Sequence, residues 1–256
     1  MGEQYEVLAI RYGTRESSAA EVFLNYHAYH EPDRPLRMDY FFWVARNAAR
    51  TVVVDTGFSP AGGAARGRTM LLDTVSALSA AGIAPDAVSQ VILTHAHYDH
   101  IGGLPVFTGT GAEVIMTRDE YDFWTGPMGR RGQFAHTTEA SELDHLRELR
   151  EAGRLTLVGR ACQVAPGIEL TQVGGHTPGQ AIVTVATAGG RSCWPRTRST
   201  TTRNWSGTGR SPSWRISRTC TPPSTGSARW ARPAPAWWPG TTRWSPSGSA
   251  VRPTSS

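Results

Sequence analysis

Four side chains with metal-binding chemistry stand within six residues: His95, His97, Asp99 and His100, in the run Thr-His-Ala-His-Tyr-Asp-His. Neutral imidazoles and a carboxylate are the ordinary nitrogen and oxygen ligands of zinc. A strand end running into a loop aims His95 and His97 at one point and lets Asp99 and His100 turn toward another. That spacing suits two adjacent metals better than one. Gly102-Gly103 lets the backbone turn tightly beneath the ions. The competing reading is a polar surface loop, and the density of ligands directly after an apolar run speaks against it. His176 follows a strand-like run and is flanked by Gly174-Gly175 and Pro178-Gly179. Alone it reads as a structural loop histidine; beside the first cluster it reads as a further ligand. Asp55 closes the apolar run Thr51–Val54 in the turn Asp55-Thr56-Gly57. Turn chemistry explains such an aspartate, but a hydrogen bond that orients a ligand imidazole explains it better. His27, His30, His136 and His145 lack comparable context. His145 is expected in solvent on a helix face, and His27 and His30, near Tyr26 and Tyr29, in a surface loop rather than a substrate entrance.

The elements that must position these groups follow from patterning. Val7–Arg11, the aromatic Asp39–Arg46 and the apolar Thr51–Val54 read as strands, the last suited to a sheet covered on both faces. Ala87–Leu93 is a strand that runs directly into the histidine cluster. Thr69–Ala81 has helical spacing, with Leu71, Leu72, Val75 and Leu78 on one face and Gly82 as its stop. Ala112–Met116 is a further strand, Ser141–Ala152 an amphipathic helix with Leu143, Leu146 and Leu149 at helical spacing, and Leu155–Val158, Ile168–Val173 and Gln180–Ala186 are strands. Alternating strands and helices predict an α/β protein with layered packing.

A chain of 256 residues fits one sizeable domain, or one domain with an appendage. Its pI near 9.5 misleads. From Arg191 to Ser256 there are 11 arginines and no Asp, Glu, Lys or His, whereas residues 1–190 hold 15 arginines against 21 acidic residues. The basic stretch has no period suited to a nucleic-acid-reading helix, so nucleic acid is not the expected partner. Three widely spaced cysteines make neither a disulfide framework nor a thiolate zinc site. No signal peptide and no run of about 20 apolar residues is visible, and a cytoplasmic enzyme is expected, with no membrane partner.

The residues His95 through Gly103 match the signature His-x-His-x-Asp-His-x-Gly-Gly, and Asp55-Thr56-Gly57 and Gly175-His176-Thr177-Pro178-Gly179 match two further motifs. In these the chain resembles the metallo-β-lactamase superfamily, over roughly residues 5–190. Within it the chain looks most like the N-acyl homoserine lactonase-like branch, from the long N-terminal segment, the Asp39–Trp43 strand leading to Val54-Asp55-Thr56-Gly57-Phe58, and the Tyr121–Trp124 insert. The resemblance implies an αβ/βα sandwich, incomplete at its C-terminus, with two zinc ions at one edge. It implies that His95, His97 and His176 hold the first metal and that Asp99 and His100 hold part of the second. The implied activity is zinc-dependent opening of N-acyl homoserine lactones or similar lactones by metal-bound hydroxide, with Asp99 orienting the nucleophile. A glyoxalase-II-like thioesterase shares the metal loop and is the alternative enzyme. An inactive protein whose basic tail binds anions or nucleic acid is the alternative outside enzymes.

The chain departs from the family after about Gly190. The family pattern needs a bridging aspartate and a late histidine, and neither residue type occurs after His176. Residues 191–256 contain no Leu or Phe but seven of the nine tryptophans. So few aliphatics offset little ordering entropy. The tail reads as a frameshifted remainder of the same domain. Tryptophan has one codon, TGG, which fixes letters of the neighbouring frame: Cys193-Trp194 becomes Leu, Trp194-Pro195 Ala, Asn204-Trp205 Leu, Trp237-Trp238 Val and Trp238-Pro239 Ala. GC-rich codons then allow an aspartate at the position of Thr197 and a histidine at that of Thr241. As it stands the chain is expected to hold one metal and to be impaired.

Overall fold

The computed structural model describes residues 3–194. The tail from 195 onward, with the positions of Thr197 and Thr241, lies outside the described residues. Two sheets are formed. The larger takes its strands in the order β4-β1-β2-β3-β5-β6-β7, where β1 is Glu6–Ser18, β2 Pro35–Arg46, β3 Thr51–Val54, β4 Thr69–Met70, β5 Gln90–Ile92, β6 Glu113–Thr117 and β7 Leu155–Val158. The smaller runs β11-β10-β9-β8, from β8 Ala161–Ala165, β9 Ile168–Gln172, β10 Ala181–Thr187 and β11 Gly190–Trp194. The described helices are α1 Ala19–Val22, α2 Pro60–Ala65, α3 Thr74–Ala80, α4 Tyr98–Ile101, α5 Arg118–Thr125, α6 Gly132–Ala135 and α7 Ala140–Glu151.

Strand alternation divides the interior into two cores. Val53, Val91, Leu93, Val114 and Met116 face the helices and pack with Leu78 of α3, Ile101 of α4, Trp124 of α5 and Leu146 of α7. Val52, Val54 and Ile92 face the other way and pack against Ile168, Leu170, Val183 and Val185 of the smaller sheet. Among the described residues, no helical residue enters this second core. The result is the layered α/β sandwich expected from the alternation of elements. β3, β5, β6 and β7 are parallel neighbours, so the loops after β3, β5 and β6 open at one edge, where ligands bind in open α/β sheets.

The pattern over Thr69–Ala81 is corrected by the structure. Met70 and Thr69 pair with β1, and the Leu71 and Leu72 amides donate to Tyr12 O at 2.9 and 3.2 Å. Helix α3 therefore begins at Thr74, after Asp73 accepts from Ser76 N as an N-cap. Leu78 is buried, while Leu71, Leu72 and Val75 are exposed. The strand interactions and the cap take the backbone groups that a longer helix would have used. β1 and β2 also extend well beyond the apolar runs that predict them, because each forms the other's hydrogen-bond ladder from Glu6↔Arg46 to Ser18↔Pro35.

Helix α7 clamps the start of α2. Ser59 Oγ accepts from Gly62 N at 3.1 Å and donates to Glu142 Oε1 at 3.0 Å. Glu142 Oε2 is buried with no hydrogen-bond partner. Burial pushes the Glu142 carboxyl up to about 7; the Ser59 bond opposes this and Glu139 adds to it. Between about pH 4.5 and 7 the folded chain holds this proton and the unfolded chain does not, so stability falls as pH rises through that window. Glu142→Gln removes the charge and is expected to match the parent at pH 5. At pH 8.5 it is expected to exceed it by ~1–2 kcal/mol, a few degrees in Tm, discounted for the solvent that reaches the group. Thermal melts at both pH values check this; equal differences at both would overturn it.

Candidate metal centre

The site is built on the ends of β3 and β5. Asp55, immediately after β3, is fully buried and sits at φ 62°, a left-handed conformation disfavoured for a residue with a side chain. Its carboxylate accepts from Thr94 N at 2.9 Å and from the Thr94 hydroxyl, and its Oδ2 lies 2.8 Å from His100 Nδ1. Its own amide donates to Ile92 O at 2.9 Å, and Thr56 N donates to His100 O at 2.7 Å. The strained residue is thus held from several sides, and it ties both ends of the histidine loop to β3.

Gly102 and Gly103 have φ of −64° and −89°, so neither needs the freedom of a left-handed turn. Their role is close approach. A Cβ on Gly102 would sit 2.1 Å from Ser59 N, and one on Gly103 2.2 Å from Thr56 O. The expectation of a tight turn is corrected in this respect: the missing side chains let α4 lie against the Asp55 turn and the start of α2.

His95, His97 and His176 converge. Each offers a ligand atom, and these atoms all lie within 4.8 Å of one another. The ring centroids are 4.8 Å apart for His95 and His97, 4.4 Å for His97 and His176, and 5.1 Å for His95 and His176. His95 Nδ1 lies 3.2 Å from Thr94 Oγ1. That hydroxyl donates to Asp55, so it accepts from Nδ1–H, which leaves the lone pair on Nε2. Nε2 is buried and has no hydrogen-bond partner. A buried nitrogen lone pair without a donor is costly unless something electrophilic meets it. Burial and the neighbouring His100 and His97 push His95 well below the ordinary histidine range. Burial and His176 take His97 to about 2, and burial and His100 lower His176. All three imidazoles are therefore neutral at pH 7, the state in which they ligate metal. These residues fit a divalent metal by donor type, charge state and the orphaned Nε2.

His100 differs. Burial opposes its charged form, but Asp55 and Asp99 prevail and raise it to about 9. Its ring lies 3.8 Å from that of His95, and its Nε2 is 3.7 Å from Asp99 Oδ2. Asp99 is partly exposed at the site's mouth, with its backbone carbonyl held by the Tyr12 hydroxyl at 2.7 Å.

A sequence profile of the metallo-β-lactamase superfamily matches residues 39–193. The chain belongs to the metallo-β-lactamase superfamily. An N-acyl homoserine lactonase of Bacillus thuringiensis is 30% identical over 105 residues, which cover 41% of this chain and 36% of that protein. The match thus spans about a third of the relative's length. A quorum-quenching N-acyl homoserine lactone lactonase of known structure superposes with a TM-score of 0.59 at 21% identity, over 75% of this chain and 74% of that one. A dizinc quorum-quenching lactonase gives 0.57 at 18% identity, over 75% and 72%. At these identities the superpositions establish the fold.

In this superfamily member His27, His30 and His145 are not among the converging histidines. His27 and His30 are exposed around a short 3₁₀ turn, Tyr26–Tyr29. His145 is not in free solvent: its side chain is largely covered, with Nε2 2.9 Å from Thr108 Oγ1. Sequence reasoning overlooked Glu120 on α5, which is fully buried and bonded to both histidine-bearing loops. The available signal was a glutamate four residues before Trp124 in a helix otherwise read as an insert; the indole N–H donates to Glu120 Oε1 at 2.6 Å.

Proposed function

We propose that this chain carries a zinc-centred hydrolase site whose substrates are N-acyl homoserine lactones or closely related lactones. The observation that carries the reading is the convergence of three neutral imidazoles, His95, His97 and His176, around the orphaned Nε2 of His95. These three would hold one zinc, and Asp99 and His100 would supply part of a second position, His100 after giving up the proton that Asp55 and Asp99 favour on it. The chemistry supplied by zinc bound there would be a lowered pKa for a coordinated water and polarisation of a carbonyl. The chain's own groups do the rest. Asp55 holds the His100 ring in one orientation. The Asp99 carboxylate, partly exposed and 3.7 Å from His100 Nε2, would orient a water and take its proton at Oδ2. Trp124 packs edge-on against His97, with centroids 5.2 Å apart, and keeps water from that side of the ring.

The lactone assignment is supported by the relatives, which are named as N-acyl homoserine lactonases. No described helix is long and apolar enough to cross a membrane. Residues 191–256 are proposed to be the frameshifted remainder of the same domain. The test is a substrate panel on zinc-loaded protein: acyl-homoserine lactones of several chain lengths against acyl-glutathione thioesters, with hydrolysis followed by proton release. Lactone opening that a chelator abolishes and zinc restores is expected, at a low rate. Thioester turnover without lactone turnover would favour the glyoxalase-II-like alternative. Salt-sensitive DNA binding with no hydrolysis would overturn the enzyme reading.

A further inference from the structure

The two loops that carry the triad come from different sheets: His95 and His97 follow β5 of the larger, and His176 lies between β9 and β10 of the smaller. Something must fix the distance between them. At the base, Ala181 N donates to Thr94 O at 2.9 Å. At the level of the imidazoles the link is one carboxylate. Glu120 Oε1 accepts from Ala96 N at 3.0 Å, the amide between His95 and His97. Glu120 Oε2 accepts from the Thr177 hydroxyl at 2.6 Å and from Gly179 N at 2.9 Å, just after His176.

We propose that Glu120 is a positioning residue that sets the separation of the two histidine loops and thereby the metal affinity of the triad. The inference rests on reading the triad as a metal centre. Two of the donors are backbone amides and a third is the Trp124 indole, none of which can turn around to accept. Each would be left buried and unpaired without the carboxylate. The approach is close enough that a Cβ on Gly179 would lie 2.1 Å from Glu120 N, so only glycine admits this loop against α5. Through its bond to the indole, Glu120 also fixes the ring that packs on His97. A carboxylate that merely held the fold together would have no reason to bond the residues adjoining all three imidazoles.

Glu120→Gln keeps size and shape but turns an amide NH2 toward donors at one end. Thr177→Val removes only one bond to Oε2, at equal volume. Zinc affinity is measured on the full chain by chelator competition, and the cobalt-substituted protein is read by its visible absorption. Glu120→Gln is expected to weaken zinc binding by ~10–100-fold and to shift the cobalt bands; Thr177→Val is expected to do both to a smaller degree. Should Glu120→Gln fail to fold, Thr177→Val alone decides the matter. Parent-like zinc affinity and cobalt spectrum in the folded variants, even with a lowered Tm, would overturn the positioning role and leave the metal centre standing. A parent chain that binds neither zinc nor cobalt would instead overturn the metal-centre reading, and the positioning role with it.

Discussion

Substituting alanine for His97 is expected to lower zinc affinity on the order of 100- to 1,000-fold and to abolish any lactone opening. Four-ligand zinc sites are worth roughly 10–16 kcal/mol in binding, so one ligand accounts for ~2.5–4 kcal/mol of it. His97 is central to the group, with its ring closest to that of His176 and edge-on to Trp124. It is neutral because burial and its neighbours hold it near pKa 2, so no proton must leave for a metal to bind. Metal content after dialysis, measured by atomic absorption, checks the expectation. His27→Ala is the matched control, since His27 is exposed on the 3₁₀ turn and is not one of the converging histidines. Its metal content is expected to equal the parent's. Equal metal in the parent and the His97 variant would remove the triad as the binding site.

Much of the site was legible in the sequence because its ligands are local. His95, His97, Asp99 and His100 fall within six residues, and a short apolar strand before them fixes where they stand. His176 and Asp55 were legible for a weaker reason: each ends a strand in a turn, and the ends of strands in one layered fold meet at one edge. Glu120 was not legible, since its meaning lies in partners 24, 57 and 59 residues away. A buried glutamate on an amphipathic helix looks like any solvated one until those partners are known. The start of the helix expected over Thr69–Ala81 was misplaced for a similar reason, though its later part, Thr74–Ala80, is helical. Leu71, Leu72, Val75 and Leu78 have helical spacing, but Tyr12 O, far away in sequence, claims the amides of Leu71 and Leu72. Strands β8 and β11 escaped because neither has an apolar run, and pairing with β9 and β10 is what extends them. Gly102 and Gly103 were noticed as a pair, but only the packing of α4 on Ser59 and Thr56 gives the physical reason.

A chain carrying the neighbouring-frame reading of residues 191–256 is expected to bind two zinc ions where this one is expected to bind one, and to open lactones at least ~100-fold faster than any rate this one shows. The described residues supply one complete group of three imidazoles. Asp99 and His100 are left as a pair, with Nε2 to Oδ2 at 3.7 Å, and zinc in proteins ordinarily takes four ligands. A second metal that polarises a carbonyl or steadies a leaving oxygen contributes several kcal/mol to the transition state, and each 1.36 kcal/mol is tenfold in rate, so ~100-fold is a low expectation. The superfamily match stops at residue 193, close to where the composition changes. With GC-rich third bases the shifted frame allows an aspartate at the position of Thr197 and a histidine at that of Thr241, the two ligand types that the chain lacks after His176. The DNA decides first: stop codons in that frame, or codons there that give neither aspartate nor histidine, would end the argument. If the frame is open, both chains are made, and zinc per chain and lactone turnover are measured side by side. Equal stoichiometry and equal rates would show that the tail brings nothing to the second position, and that Asp99 and His100 serve the first metal alone.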